Sequence, residues 1–230
     1  MGLPAHMGAW LQLVIALVIG SLQLAICAGS DSPARAQSTA ARLKIVALGD
    51  SLTAGYRLRP EEAFPVQLQA ALARRGRDVE ILNAGVSGDT AGGGLQRLDW
   101  SVPPDADGVI LELGANDALR GLDPLQTGRA LGQIVERLKA RGVDILLAGM
   151  QAPRNLDQDY RTTFDAIFPD LARTHGLLLR PFFMEGVALD PKLTLDDRLH
   201  PTGAGVAVIV EGILPDVLRL IERIEAKKKR

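Results

Sequence analysis

Cysteine is almost missing from this chain: Cys27 is the only one in 230 residues. It falls inside an apolar leader, so the remainder can hold neither a disulfide framework nor a thiol nucleophile. Aromatic residues make up 4% of the chain, too few to suggest a platform for stacked bases. The formal net charge is −1, which gives no global field to attract a nucleic acid. Histidine is scarce as well, with three residues in all. No internal repeat occurs, and no low-complexity segment follows the leader.

What is present begins with that leader. Residues Ala9 to Ala28 carry no charge and are dominated by Leu, Ile, Val and Ala, the core of an export signal. Ala34-Arg35-Ala36 is a small-x-small site, and cleavage is expected after Ala36. No Lys or Arg precedes the apolar run, and the run is long enough to span a bilayer. An uncleaved anchor in the inner membrane is therefore the rival reading. Lipid attachment at Cys27 is disfavoured, because Ile26 is bulky where lipoprotein processing wants a small residue. The expected division is a signal peptide over 1–36, a polar linker over 37–42 and one catalytic domain over 43–230.

Past the linker, short apolar runs alternate with helical patterns. Strands are expected at Lys44 to Leu48, Val79 to Leu82, Val109 to Leu113, Ile145 to Ala148 and Leu177 to Leu179. Helices are expected from Glu61 to Arg75, from near Ala91 to Trp100, after the Asp123-Pro124 cap, from Tyr160 to His175, and along the final stripe Val206 to Ile221. Pro215 is expected to kink the last of these. Five strands alternating with five helices imply an α/β protein, a parallel sheet covered on both faces.

In such a sheet, the loops that follow the strands share one rim. The first loop offers Ser51, within Gly49-Asp50-Ser51-Leu52. The second offers Gly88, the third Asn116, and the long loop before the last helix offers Asp197 and His200. A hydroxyl, an imidazole, a carboxylate and amide donors are the parts of a serine hydrolase. Of the histidines, His6 lies in the leader and His175 sits beside Gly176 at a helix end, a common capping place. His200 is in a loop stiffened by Pro201. Alone, it could equally be a core or capping residue, and Ser51 an ordinary turn serine. No second His or Cys ligand lies near His200, so the pattern does not suggest a metal site.

The four blocks taken together, in this order, are far more specific. Gly49-Asp50-Ser51-Leu52, Asn83-Ala84-Gly85-Val86-Ser87-Gly88-Asp89-Thr90, Leu113-Gly114-Ala115-Asn116-Asp117 and Asp197-Arg198-Leu199-His200 resemble the GDSL, or SGNH, hydrolase family. The likeness is greatest to its bacterial periplasmic thioesterase, lysophospholipase and arylesterase branch, and it runs from about Lys44 to Ile224. It implies a three-layer α/β/α, flavodoxin-like fold with a five-stranded parallel sheet in the order 2-1-3-4-5. It implies Ser51 as nucleophile, His200 as base and Asp197 as its orienter. The amides of Ser51, Gly88 and Asn116 would form the oxyanion hole. No metal or organic cofactor is called for. Ala115 departs from the second glycine usual in this branch and tightens the rim beside Asn116. No Gly-x-Ser-x-Gly elbow surrounds any serine, which disfavours the α/β-hydrolase alternative.

The expected substrate is a small acyl ester or thioester, a lipid among them, bound by Asp50, Leu95 and Phe182, with Phe183 and Met184 also near the rim. The chain is expected to act as a monomer in the periplasm or outside the cell. A carbohydrate O-acetyl esterase using the same residues is one alternative, and an inactive binding protein of the same fold is the other. The run Gly92-Gly93-Gly94 admits two readings of its own. It could serve a mobile cover over a bound acyl chain, or close packing of the following helix on the sheet.

Overall fold

The computed structural model describes residues 42–229; the leader and nearly all of the linker lie outside the described residues. The chain runs through β1 (Leu43–Gly49), α1 (Ser51–Ala54), a 3-10 turn (Pro60–Glu62), α2 (Phe64–Arg74), β2 (Val79–Gly85), α3 (Ala91–Gln96) and α4 (Leu98–Ser101). It continues through β3 (Gly108–Glu112), α5 (Ala115–Leu119), α6 (Pro124–Ala140), β4 (Asp144–Ala148), α7 (Gln158–His175), β5 (Leu178–Arg180) and α8 (Gly203–Lys228).

All five strands are parallel, in the order β2-β1-β3-β4-β5. This is the three-layer α/β/α architecture expected of the sequence. The central strands are buried on both faces, with Ile45, Val46, Leu48, Val109, Ile110 and Leu111 inaccessible to solvent. That is why they read as continuous apolar runs and not as alternating ones. Helices α2 and α8 pack on one another, while α6 packs between α3 and α7. The strand order reverses direction at β1, so β1 and β3 lead into the crevice where open parallel sheets bind ligands.

Two elements depart from the sequence expectation. The helix expected from Glu61 starts at Phe64, after the separate Pro60–Glu62 turn. Pro65 has no N–H to bond the carbonyl of Glu61, so the helix cannot extend back through it. The helix expected from Ala91 to Trp100 is two, broken at Arg97 with φ −98° and ψ 4°. Helix α8 runs on through Pro215 as one element. Pro215 and Glu211 are both exposed, so the proline lies on the outer face of the helix.

Candidate active site

The first side chain of the site is placed by the end of β1. Asp50 is the N-cap of α1, and its Oδ1 accepts the Leu52 N–H at 3.0 Å. Ser51 is thereby the first helical residue. Its N–H has no hydrogen-bond partner among the described residues, as expected of a first-turn amide. Gly49 must lack a side chain: a Cβ there would lie 2.1 Å from Thr53 Oγ1 and 2.5 Å from Glu112 Oε2.

The long loop before α8 carries the other two. It closes on itself through Leu195 N to His200 O at 2.8 Å and Thr202 N to Leu193 O at 2.8 Å. Within this closure Arg198 takes φ 60°, the left-handed region that residues other than glycine seldom adopt. That turn folds the Asp197 carboxylate back on its own backbone. Oδ1 accepts the N–H of Leu199 at 2.9 Å and of His200 at 3.0 Å, which leaves Oδ2 for His200 Nδ1 at 2.8 Å. His200 Nε2 then stands 2.9 Å from Ser51 Oγ. Partial burial pushes the Asp197 carboxyl up, but the two N–H groups and the His200 ring outweigh it and hold it at about 2. An ionised Asp197 requires Nδ1 to donate, so Nε2 is the acceptor for the Ser51 hydroxyl.

Gly88 and Asn116 border the same crevice. The Gly88 N–H has no partner among the described residues, while its carbonyl accepts from Arg120 Nη2 at 2.7 Å. Asn116 lies in the first turn of α5, and its Nδ2 makes two bonds, to Asp50 Oδ2 at 2.9 Å and to the Asp89 carbonyl at 2.9 Å. The structure thus joins Ser51, Asp197 and His200 in one hydrogen-bonded chain, and links Asn116 to the residues beside Ser51 and Gly88. His175 ends α7 ahead of its left-handed cap Gly176. Among the described residues, no three His, Cys, Asp or Glu side chains group so as to hold a metal ion.

The expected substrate contacts fare differently. Asp50 is fully buried, with both carboxylate oxygens bonded inside the protein, so it offers a substrate no surface; its place is beneath the site. Phe183 and Met184 are core residues, Phe183 packing edge-on against Phe64 at 5.0 Å. Leu95 and Phe182 are half-buried against the core, and each exposes only part of its side chain. The glycine run lies in α3, whose cap Thr90 accepts the Gly93 N–H. A Cβ on Gly94 would meet Leu113 Cδ1 at 2.3 Å, which favours the reading of close packing over that of a cover.

Two features had no mark in the sequence. Tyr56 places its ring 4.5 Å from that of His200, tilted by 41°, with the Arg57 guanidinium 5.1 Å from the Tyr56 centroid. Below Ser51, Glu112 is fully buried. Its Oε2 accepts from Thr53 Oγ1 at 2.6 Å and Asp50 N at 3.3 Å, while Oε1 has no partner among the described residues. Burial, reinforced by the Asp50 charge, raises the Glu112 pKa well above its ordinary value of 4.5. Burial likewise lifts Asp50 to about 6, against the pull of the Leu52 N–H, His200 and Asn116. Groups raised in this sense stabilise the fold fully below their unfolded pKa, and lose that contribution as pH rises through the folded value. Glu112→Gln keeps an acceptor for Thr53 and cannot ionise. Its melting temperature is expected to fall less than that of wild type between about pH 5 and about pH 8; scanning calorimetry across that range checks it.

A serine, imidazole and carboxylate in sequence, at the carboxyl ends of a five-stranded parallel sheet, define a serine hydrolase of the α/β/α type. Residues 47–208 match the profile of the GDSL-like Lipase/Acylhydrolase family, and the chain belongs to that family. It is 37% identical over 180 residues to an arylesterase of Vibrio mimicus, covering 76% of this chain and 88% of that one. It is 40% identical over 158 residues to the thioesterase 1/protease 1/lysophospholipase L1 of Escherichia coli K12, covering 68% and 74%. Among solved structures, the psychrotrophic esterase EstA from Pseudoalteromonas sp., inhibited by monoethylphosphonate, superposes with a TM-score of 0.74 at 30% identity, covering 78% of this chain and 98% of that one.

Proposed function

We propose that the protein hydrolyses small acyl esters and thioesters through an acyl-enzyme on Ser51. The observation that carries this reading is the unbroken chain from Asp197 Oδ2 to His200 Nδ1 at 2.8 Å and from His200 Nε2 to Ser51 Oγ at 2.9 Å. His200 takes the Ser51 proton as Oγ attacks the acyl carbonyl carbon. The tetrahedral oxyanion is held by the free N–H groups of Ser51 and Gly88 and by Asn116, which turns one of its two Nδ2–H bonds from the Asp89 carbonyl to the oxyanion. The imidazolium returns its proton to the leaving alkoxide or thiolate, and the acyl group stays on Oγ. His200 then draws a proton from water, which attacks the acyl-enzyme. Collapse releases the carboxylic acid and restores the Ser51 hydroxyl. The names of the relatives, arylesterase and thioesterase/lysophospholipase, support acyl esters and thioesters as the substrate class.

A p-nitrophenyl alkylphosphonate tests the reading. It is expected to label wild-type protein stoichiometrically at Ser51, to abolish ester hydrolysis in step with labelling, and to leave Ser51→Ala unlabelled. Equal labelling of Ser51→Ala would overturn it. The place of action is proposed to be outside the cytoplasm, on the strength of the uncharged run Ala9 to Ala28 and the Ala34-Arg35-Ala36 site.

A further inference from the structure

The proposed oxyanion donors stand on separate pieces of backbone. Ser51 follows β1, Gly88 follows β2, and Asn116 follows β3. Catalysis by such donors depends on their mutual placement, because each is worth most when aimed at one point in advance. The side chain that ties the first two pieces together is Arg97, at the break between α3 and α4. Its Nη2 donates to the Gly49 carbonyl at 2.9 Å, two residues before Ser51. Its Nη1 donates to the Ala84 carbonyl at 2.9 Å and to Ser101 Oγ at 2.8 Å. Its Nε donates to Asp89 Oδ2 at 2.5 Å, one residue after Gly88. Asp89 completes the link, since its carbonyl is the one that accepts from Asn116 Nδ2.

The ion pair is shielded, with side-chain exposures of 15% for Arg97 and 17% for Asp89, so it is screened far less than a surface pair. The surroundings are shaped to receive it: a Cβ on Gly93 would come within 2.5 Å of Asp89 Oδ1. A planar guanidinium can reach four acceptors in fixed directions at once, which an ammonium cannot do. We propose that Arg97 is a positioning residue for the reaction, holding the Gly88–Asp89 segment against the Ser51 turn so that the three amide donors converge. It touches neither substrate nor reacting atoms. The proposal rests on the reading of Ser51, Gly88 and Asn116 given above. A plain structural role, closing the α3–α4 break, would predict lost stability alone.

Arg97→Lys separates these. Displacing an oxyanion donor by about 1 Å is expected to lower kcat by roughly 10²-fold, with KM within about twofold of wild type. A long-chain alkyl trifluoromethyl ketone, which adds Ser51 Oγ to form a tetrahedral oxyanion, should lose affinity by the same factor as kcat. The affinity of the product carboxylate should stay unchanged. Hydrogen exchange should quicken over Val86 to Thr90 and not in α7 or α8. Asp89→Asn should give a milder loss, and Arg97→Lys/Asp89→Asn should be no worse than Arg97→Lys alone. The proposal is overturned if Arg97→Lys keeps kcat and ketone affinity within about twofold, if losses of the two substitutions add in full, or if exchange quickens evenly throughout the protein. A wild type that neither hydrolyses esters nor binds the ketone would sink the hydrolase reading instead, while exchange over Val86 to Thr90 still judges the clamp.

Discussion

Replacing His200 with alanine is expected to lower kcat by on the order of 10⁶, and adding Ser51→Ala to cost almost nothing more. The reason lies in the geometry. His200 Nε2 is the only base within reach of Ser51 Oγ among the described residues, at 2.9 Å, and an unassisted serine hydroxyl is a poor nucleophile. Once either member is gone the other has no task, so their separate losses overlap and do not add. Activity left in both variants should be equal, and should come from substrate binding and the amide donors alone. Steady-state kinetics on an activated aryl ester, with wild-type contamination excluded by phosphonate titration, provides the check. A double variant much slower than each single one would mean that Ser51 and His200 act independently.

Asp197→Asn is expected to leave the fold intact and lower kcat by on the order of 10⁴ at neutral pH. The two carboxylate oxygens have different work. Oδ1 is held by the backbone N–H groups of Leu199 and His200, and Oδ2 faces the ring. Asparagine at 197 satisfies the two N–H groups only with its carbonyl oxygen in the Oδ1 place. Its NH₂ must then face His200 Nδ1 and donate to it. That forces the ring into the tautomer with hydrogen on Nε2, which cannot accept the Ser51 proton. The loss should therefore appear in kcat with little change in KM. The nitrogen NMR shifts of His200 should show the exchanged tautomer. An unchanged tautomer together with retained activity would contradict the role given to Asp197.

The parts of this site that were legible in the sequence are those carried by short segments. Ser51, Gly88, Asn116 and the Asp197–His200 pair each stand in a recognisable block after a strand, and the five apolar runs fix the sheet that brings these blocks to one rim. What was not legible depends on partners far apart in the chain. Asp50 reads as a rim carboxylate beside the serine, yet it is buried with Asn116 on one oxygen, 66 residues away. Glu112 reads as one polar letter in a strand, and its proximity to Thr53 joins residues 59 apart. Arg97 looks like an ordinary charge on a helix. Its break in that helix comes with bonds to Gly49, Ala84 and Asp89, none of which periodicity can report. Phe182, Phe183 and Met184 are adjacent in the chain, and only the packing of Phe183 on Phe64 separates core from rim.

Under the oxyanion role proposed for it, Asn116 leaves a different kind of mark on the reaction. Both hydrogens of its amide are engaged, by Asp50 Oδ2 and by the Asp89 carbonyl. An ester carbonyl that arrives there would displace one neutral acceptor with another of similar strength, and the exchange brings little affinity. The balance tips only when negative charge gathers on that oxygen, because a charged acceptor is held about twice as strongly as a neutral one. The protein's own peptide group thus acts as a competitor that a resting substrate cannot outbid and a tetrahedral oxyanion can. With the oxyanion placed as proposed, discrimination between ground state and transition state is built into the protein's own hydrogen bonding.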